Sequence, residues 1–345
     1  MLLAKSYHMV LMNDRIVSFA CFGIVALTGC AESQEEPVGD SLRSTYYVVS
    51  GGKWGCKTCG FTNSPQYGDL AIDAATYGGS GSLTLPEFSA LIDPSGQAWG
   101  VTFDHGQLLA TDGTIKLGQD DLLGWTLRAK WPSGDVRDAE IYAFNWVLDW
   151  TDAGNALPTY GLAYLNAGEP ENVCEGMLLD ETSVVFLDGE RYDTSDGSVI
   201  PDQNQIVSTA CRGHALAKMA LVGYVPYDGQ TQPEEREATI RMFRADYCGD
   251  GTSHTNIGTP VDFTDDGVGH RIAFNNDTMS EVLEAYWTDE GAVCVGTPRL
   301  VSNQQLQEQE GGNNEFLPCE PPRCDEAFGG SVEGVWASMV PPATP

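Results

Sequence analysis

Ile141-Tyr142-Ala143-Phe144-Asn145-Trp146-Val147-Leu148-Asp149-Trp150 is the stretch that decides the fold class, because its two sets of side chains alternate with a period of two. Tyr142, Phe144, Trp146, Leu148 and Trp150 share one face of the strand, and Ile141, Ala143, Asn145, Val147 and Asp149 share the other. The aromatic face is expected to be buried core, with a carbohydrate-stacking platform as the second reading. Around it, from Tyr46 to about Ala167, the pattern is β-rich and broken by turns. Gly 39 and Pro 18 in 345 residues also favour short strands over long helical bundles. The apolar share of 42% supports a sizeable core, so the net charge of −31 is not a sign of disorder. With 18 Lys+Arg against 49 Asp+Glu, a nucleic-acid partner is excluded, because neutralising phosphates needs clustered cations.

Downstream the chain mixes strands and helices. Ser183–Leu187, Asp188-Gly189 and Glu190–Asp193 read as a hairpin, since Asp-Gly supplies the positive φ of a tight turn. Ala210–Val222 places Cys211, Ala215 and Met219 at helical spacing and stops at Gly223. Gln232–Tyr247 is the better helix. Thr231 and Glu234 fit a capping box, Pro233 sits in the first turn, Ala238, Met242 and Ala245 mark an apolar stripe, and Arg241 and Arg244 suit the C-terminal dipole. Thr278 and Glu281 are expected to start a further short helix ending near Trp287. Asn303–Glu315, rich in Gln, Glu, Gly and Asn, reads as a linker.

The first 30 residues read as an export signal. Lys5 and Arg15 supply charge, Ile16–Leu27 is apolar and too short to span a bilayer, and Leu27-Thr28-Gly29-Cys30 follows. That motif resembles the bacterial lipobox, which implies cleavage before Cys30 and acylation of its thiol. Ala31 stands where Asp would imply inner-membrane retention, so outer-membrane or cell-surface anchoring is expected. Residues 31–44 have the composition of a tether. Of the ten cysteines, Cys21 leaves with the signal and Cys30 takes lipid. The remaining Cys56, Cys59, Cys174, Cys211, Cys248, Cys294, Cys319 and Cys324 are an even set, expected to form disulfides in an oxidising compartment. Cys56-Lys57-Thr58-Cys59 has no second CxxC or nearby His to complete a zinc site.

The sequence carries no Gly-x-Ser-x-Gly elbow, His-Glu-x-x-His helix, Walker A loop or dinucleotide fingerprint. His254, within Asp250-Gly251-Thr252-Ser253-His254 and near Asp246 and Cys248, is the candidate general base. Glu190, Asp193 and Asp246 are candidate paired carboxylates for glycoside hydrolysis. The preferred reading is that Glu190, Arg191, Lys218, Arg241 and Asp246 make structural ion pairs and caps. Asp246, Asp250, Asp262, Asp265 and Asp266 are the densest carboxylates. No cofactor is expected, Ca²⁺ being the ion that Asp246, Asp250 and Asp265 would hold, although EF-hand spacing is absent.

Ala245-Asp246-Tyr247-Cys248 carries a family resemblance. Together with Gly189-Glu190-Arg191-Tyr192-Asp193, Ala210-Cys211, Gly258-Thr259-Pro260, Glu284-Ala285, Trp287, Cys294 and Pro298-Arg299, it resembles the ADYC-domain family of exported bacterial proteins. Cys59-Gly60-Phe61-Thr62-Asn63-Ser64-Pro65 is similar to a segment upstream in that family. The resemblance implies a shared disulfide-bonded fold and assigns no activity. Segment order within the matched region suggests Cys174 with Cys211 and Cys248 with Cys294.

The expected fold is α+β and β-rich, an N-terminal antiparallel β region followed by a mixed, disulfide-stabilised α+β domain. The expected divisions are a lipoprotein signal (1–29), the lipidated Cys30 and tether (30–45), the β-rich region (46–167), the ADYC-like domain (168–300), and a linker with a Cys-containing tail (301–345). The function expected is that of a lipid-anchored extracytoplasmic module, non-catalytic, with a role in the envelope or in binding a protein or glycan. The alternative is a secreted hydrolase acting on a glycan or peptide, with Ca²⁺ as its ion.

Overall fold

Strands with apolar side chains at alternate positions pair edge to edge into a closed cylinder in the computed structural model. It describes residues 64–149, 155–174, 182–193, 196–211, 214–255, 262–265, 271–272, 282–299, 317–324 and 336–340. The first strands are β1 (Gln66–Tyr67), β2 (Leu70–Ala71), β3 (Ala74–Tyr77), β4 (Glu87–Ile92), β5 (Ala98–Asp104), β6 (Gln107–Thr111), β7 (Lys116–Gly118), β8 (Thr126–Lys130) and β9 (Val136–Leu148). They are followed by β10 (Ala156–Asn166), β11 (Glu169–Asn172), β12 (Ser183–Tyr192) and β13 (Val199–Cys211). Helices α1 (Ala215–Leu221) and α2 (Pro233–Arg244) come next. The last strands are β14 (Asp262–Asp265), β15 (Arg271–Ile272), β16 (Val282–Thr288), β17 (Gly291–Val295) and β18 (Trp336–Val340).

Seven strands close the barrel in the order β3-β13-β12-β10-β9-β8-β4, and β4 returns to β3 through the parallel pairs Thr76–Glu87 and Tyr77–Phe88. A barrel this small is filled by side chains. Phe88, Phe103, Tyr160 and Phe186 meet edge-on or tilted at centroid distances of 5.0 to 6.0 Å. The β5–β7 meander lays Val101, Phe103, Leu108 and Ala110 onto the same core. The amide of Leu108 on that meander donates to Tyr160 Oη at 2.9 Å. A second core lies outside the wall. Val147, Leu157, Val185 and Leu187 face away from the barrel and pack with α1, α2 and the sheet β15-β14-β18-β16-β17.

The α+β expectation is overturned. Strand accounts for 50% and helix for 11% of the described residues, and the barrel takes β12 and β13 from the segment expected to be mixed. Three local readings account for the error. Val184 and Phe186 point into the barrel while Val185 and Leu187 face the second core, so β12 is buried on both sides and runs through Asp188-Gly189. Gly189, at φ +96°, supports a register shift there; Asp193 and Ser198 close the actual turn onto β13. Ala210 and Cys211 end β13, so α1 starts later than helical spacing implied. The helix expected to end near Trp287 is strand β16, with Ala285 and Trp287 buried; Thr278 and Glu281 lie outside the described residues.

The aromatic face of β9 is only partly buried, again for a register reason. Gly161 pairs with Ala143 and Leu162 with Ile141, leaving Tyr142 as an extra residue. The bulge switches which residues face inward: Ala139 and Ile141 line the barrel before it, and Phe144 packs against that core after it. Val147 faces the second core, while Trp146 and Leu148 are each 46% exposed. Trp150 lies outside the described residues.

Gly161 makes the bulge possible. A Cβ there would meet the Tyr142 ring at 2.7 Å and the Ala143 Cβ at 2.9 Å, and the Tyr142 hydroxyl reaches Thr182 Oγ1 at 3.0 Å. Gly161→Ala is expected to destabilise the fold by about 1–3 kcal/mol in urea unfolding. Combined with Tyr142→Ala it should cost less than the sum of the two single changes.

Candidate functional site

The segment that carries the sequence motif is the corner where α2 ends. Arg236 is held early in the helix, and the backbone amide of Gln232 donates to Glu235 Oε2 at 2.6 Å. The cap therefore lies one residue beyond the Thr231–Glu234 pair expected. Thr231 is otherwise engaged, its hydroxyl donating to the Val225 carbonyl at 3.2 Å. At the far end Ala245 turns left-handed (φ +53°) with its side chain fully buried. The amide of Asp246 returns to the Arg241 carbonyl at 2.9 Å.

Each following residue has an internal partner. The buried Asp246 carboxylate accepts from Arg241 Nη1 at 2.9 Å and from the amides of Gly251 and Asp250 at 3.0 and 3.2 Å. Arg241 also donates to Glu237 and to the Asp289 carbonyl. Tyr247 donates to Glu284 Oε1 at 2.7 Å, accepts from the Arg299 amide at 2.9 Å and stacks on Trp287 at 5.2 Å. Arg299 pairs with Glu284 at 2.7 Å and donates to the carbonyls of Met242 and Phe243, so it caps α2. Gly249, at φ +66°, has no room for a Cβ, which would lie 2.1 Å from the Glu290 carbonyl oxygen. The tip of the β16–β17 hairpin thereby fits directly against the corner.

The candidate catalytic groups do not converge into a working set among the described residues. Glu190 is buried and held by both arms of Arg236 and by the Tyr192 hydroxyl, which donates at 2.9 Å. Asp246 is held by a different arginine at the other end of α2. Cys248 is bonded to Cys319, so it has no thiol to act as nucleophile. Ser253 donates its hydroxyl to the Arg244 carbonyl at 2.9 Å. His254 lies 5.6 Å from the Tyr247 ring, and its buried Nε2 has no hydrogen-bond partner among the described residues. Burial holds His254 below the usual imidazole range, against the pull of Asp246 and Asp250.

For the candidate Ca²⁺ ligands, Asp246 already faces three donors and Asp250 accepts from the Thr252 amide at 2.8 Å. Asp265 stands on β14. Asp266, and with it Cys30, Cys56 and Cys59, lies outside the described residues. No group of three or more His, Cys, Asp or Glu poised for a metal occurs among the described residues.

The pairing expected between Cys248 and Cys294 is corrected: Cys248 joins Cys319, and Cys294 joins Cys324. Cys294 is fully buried and Cys324 reaches it from a segment bridged to Val295, whereas Cys248 is half-buried at the edge of the second core and joins the exposed Cys319. Cys174 joins Cys211, where β13 ends beside the residues following β11. In the loop-entropy model, loops of 37, 71 and 30 residues each contribute about 4 kcal/mol.

These features define a disulfide-stapled β-barrel protein whose second core is locked by buried ion pairs. The ADYC domain matches residues 119–301, more than half of the chain, and the chain belongs to the ADYC-domain family. Comparison with curated proteins and with solved structures gave no match. The matched span excludes β3 and β4, which close the barrel, and β18, Cys319 and Cys324, which complete the second core.

Arg236, Glu284 and Arg299 are central to this network and stand outside the candidate site residues of the sequence. Arg236 has a usable signal, as a cation facing the core side of an otherwise regular helix. Glu284 and Arg299 fall within the family resemblance, but their pairing shows only once the chain is folded.

His214, just before α1, gives the region a pH dependence. Burial lowers its pKa to about 3, with the charge of Lys218 adding to the effect, and burial lowers Lys218 to about 8. Above pH 6.5 both folded and unfolded His214 are neutral and contribute nothing. Below it the unfolded chain gains a proton that the folded chain refuses until about pH 3, so stability falls. Between pH 7 and pH 5 this group should cost about 2 kcal/mol. Urea unfolding of His214→Gln should show a pH slope reduced by that amount.

Proposed function

We propose that this ADYC-family chain is a lipid-anchored extracytoplasmic protein that works as a non-catalytic binding or envelope-structural module. The observation that carries this reading is the internal engagement of the carboxylates, phenol and hydroxyl along α2 and the ADYC corner, which leaves His254 without Ser253 or Cys248 to activate. Asp246, Glu190, Tyr247 and Ser253 are each hydrogen-bonded inside the fold, and Cys248 is in a disulfide. Among the described residues these groups are matched internally, which supports a scaffold role over one that faces a substrate. Three disulfides favour an oxidising compartment, in keeping with the apolar run and Leu27-Thr28-Gly29-Cys30. The aromatic filling of the barrel supports ligand contact on outer surfaces rather than inside the cylinder. Outer-membrane or surface display follows from Ala31 after the acylated cysteine.

Metabolic lipid labelling in a bacterial host, with thiol alkylation of the exported protein, tests both halves of the proposal. Wild type should carry label, Cys30→Ala should carry none, and Cys248 should resist alkylation until reduced. Label retained in Cys30→Ala contradicts the anchor. A freely alkylated Cys248 in a folded chain contradicts the scaffold role and moves the hydrolase reading ahead.

A further inference from the structure

Strand β18 occupies an unusual place. It lies in the middle of the five-stranded sheet, antiparallel to both neighbours, pairing four residues with β14 and five with β16. Without it β14 and β16 would stand about 10 Å apart, one strand's width open, with two facing edges of unpaired amides and carbonyls. Its side chains enter prepared positions. Trp336 is buried against Tyr224 and Phe263 at 5.1 and 5.2 Å, and its indole N–H donates to Thr239 Oγ1 at 2.6 Å. Ser338, fully buried, accepts from the Trp287 indole at 2.7 Å. Val340 is buried at the end of the strand, while Ala337 and Met339 are half-buried.

All the receiving residues, Tyr224, Thr239, Phe263 and Trp287, lie inside the family-matched span of 119–301, and the inserted strand lies outside it. Between β18 and the Cys294–Cys324 bridge stand Asp325 to Val335, with glycines at 329, 330 and 334. The seat and the strand are therefore separate pieces of sequence, the strand lying beyond the matched span.

We propose that the cleft between β14 and β16 is a strand-acceptor site, filled here in cis by β18. It recognises an extended peptide of the pattern Trp-x-Ser-x-Val. Main-chain pairing on both edges supplies affinity, and the Thr239-floored pocket for Trp together with the Trp287 donor for Ser supplies selectivity. The same seat fits a strand of that pattern from another polypeptide when β18 is displaced. The inference concerns this sheet alone and stands or falls separately from the lipid anchor.

The test uses the full chain with a site for a sequence-specific protease built between Cys324 and Trp336. After cleavage a labelled peptide of residues 331–345, added in excess, should bind and replace the severed strand while the disulfides stay intact. As a competitor, the Trp336→Ala peptide should be weaker by about 100-fold or more, and the Met339→Gln peptide should fall within about threefold of the native one. Equal competition by the Trp336→Ala peptide overturns the proposal. So does a cut chain that never exchanges its strand, or one that unfolds on cleavage, because β18 would then be ordinary core rather than a seated ligand.

Discussion

A carboxylate with no access to water must be matched by donors, and Asp246 meets that constraint where the fold can least tolerate failure. Its partners are the Arg241 guanidinium, one turn back on α2, and the amides of Asp250 and Gly251, just ahead. One charge thus ties the end of a helix to the loop that leaves it. Removing either member would strand the other in the second core, at a cost of about 3–5 kcal/mol. The rest of the corner follows from that placement. Tyr247 is aimed inward to Glu284 and Trp287, Cys248 is bonded to Cys319, and Gly249 is left flat against the β16–β17 hairpin.

The two cores are physically unlike. The barrel interior is a packed core of aromatic and aliphatic side chains, and the barrel closes through β3 and β4. The second core threads ion pairs between apolar side chains, among them Arg236–Glu190, Arg241–Asp246 and Arg299–Glu284. Buried ion pairs add little net stability over apolar residues of equal volume, while removing one partner is strongly destabilising. Arg299, paired with Glu284 and donating to the Met242 carbonyl, and Arg241, donating to the Asp289 carbonyl, tie β16 and the hairpin beyond it to α2.

Local patterns were legible in the sequence to the extent that local forces decide them. The strand period around Ile141, the body of α2 and its arginine-rich end, and the segment bearing the family motif could all be read from neighbours in the chain. The bulge at Tyr142 could not, because it depends on Gly161 across the ladder. Asp188-Gly189 misled because a glycine with positive φ serves a mid-strand register shift as well as a tight turn, and only pairing with β13 tells them apart. The partners of Cys248 and Cys294 were hidden for the same reason, since both disulfides reach a segment beyond the recognised region. At the site, Asp246 and Glu190 were visible as acidic residues, whereas Arg236, Glu284 and Arg299 became meaningful only once α2 and β16 were packed together.

The central claim is that the ADYC corner holds the fold rather than turning over a substrate. A double-mutant cycle on Arg241→Gln and Asp246→Asn, followed by urea unfolding of the oxidised protein, tests it most directly. Each single change should cost about 3 kcal/mol or more, and the pair should cost far less than the sum, giving a coupling of about 2 kcal/mol or more. Additivity within about 0.5 kcal/mol, or single changes that leave stability untouched, would contradict the claim.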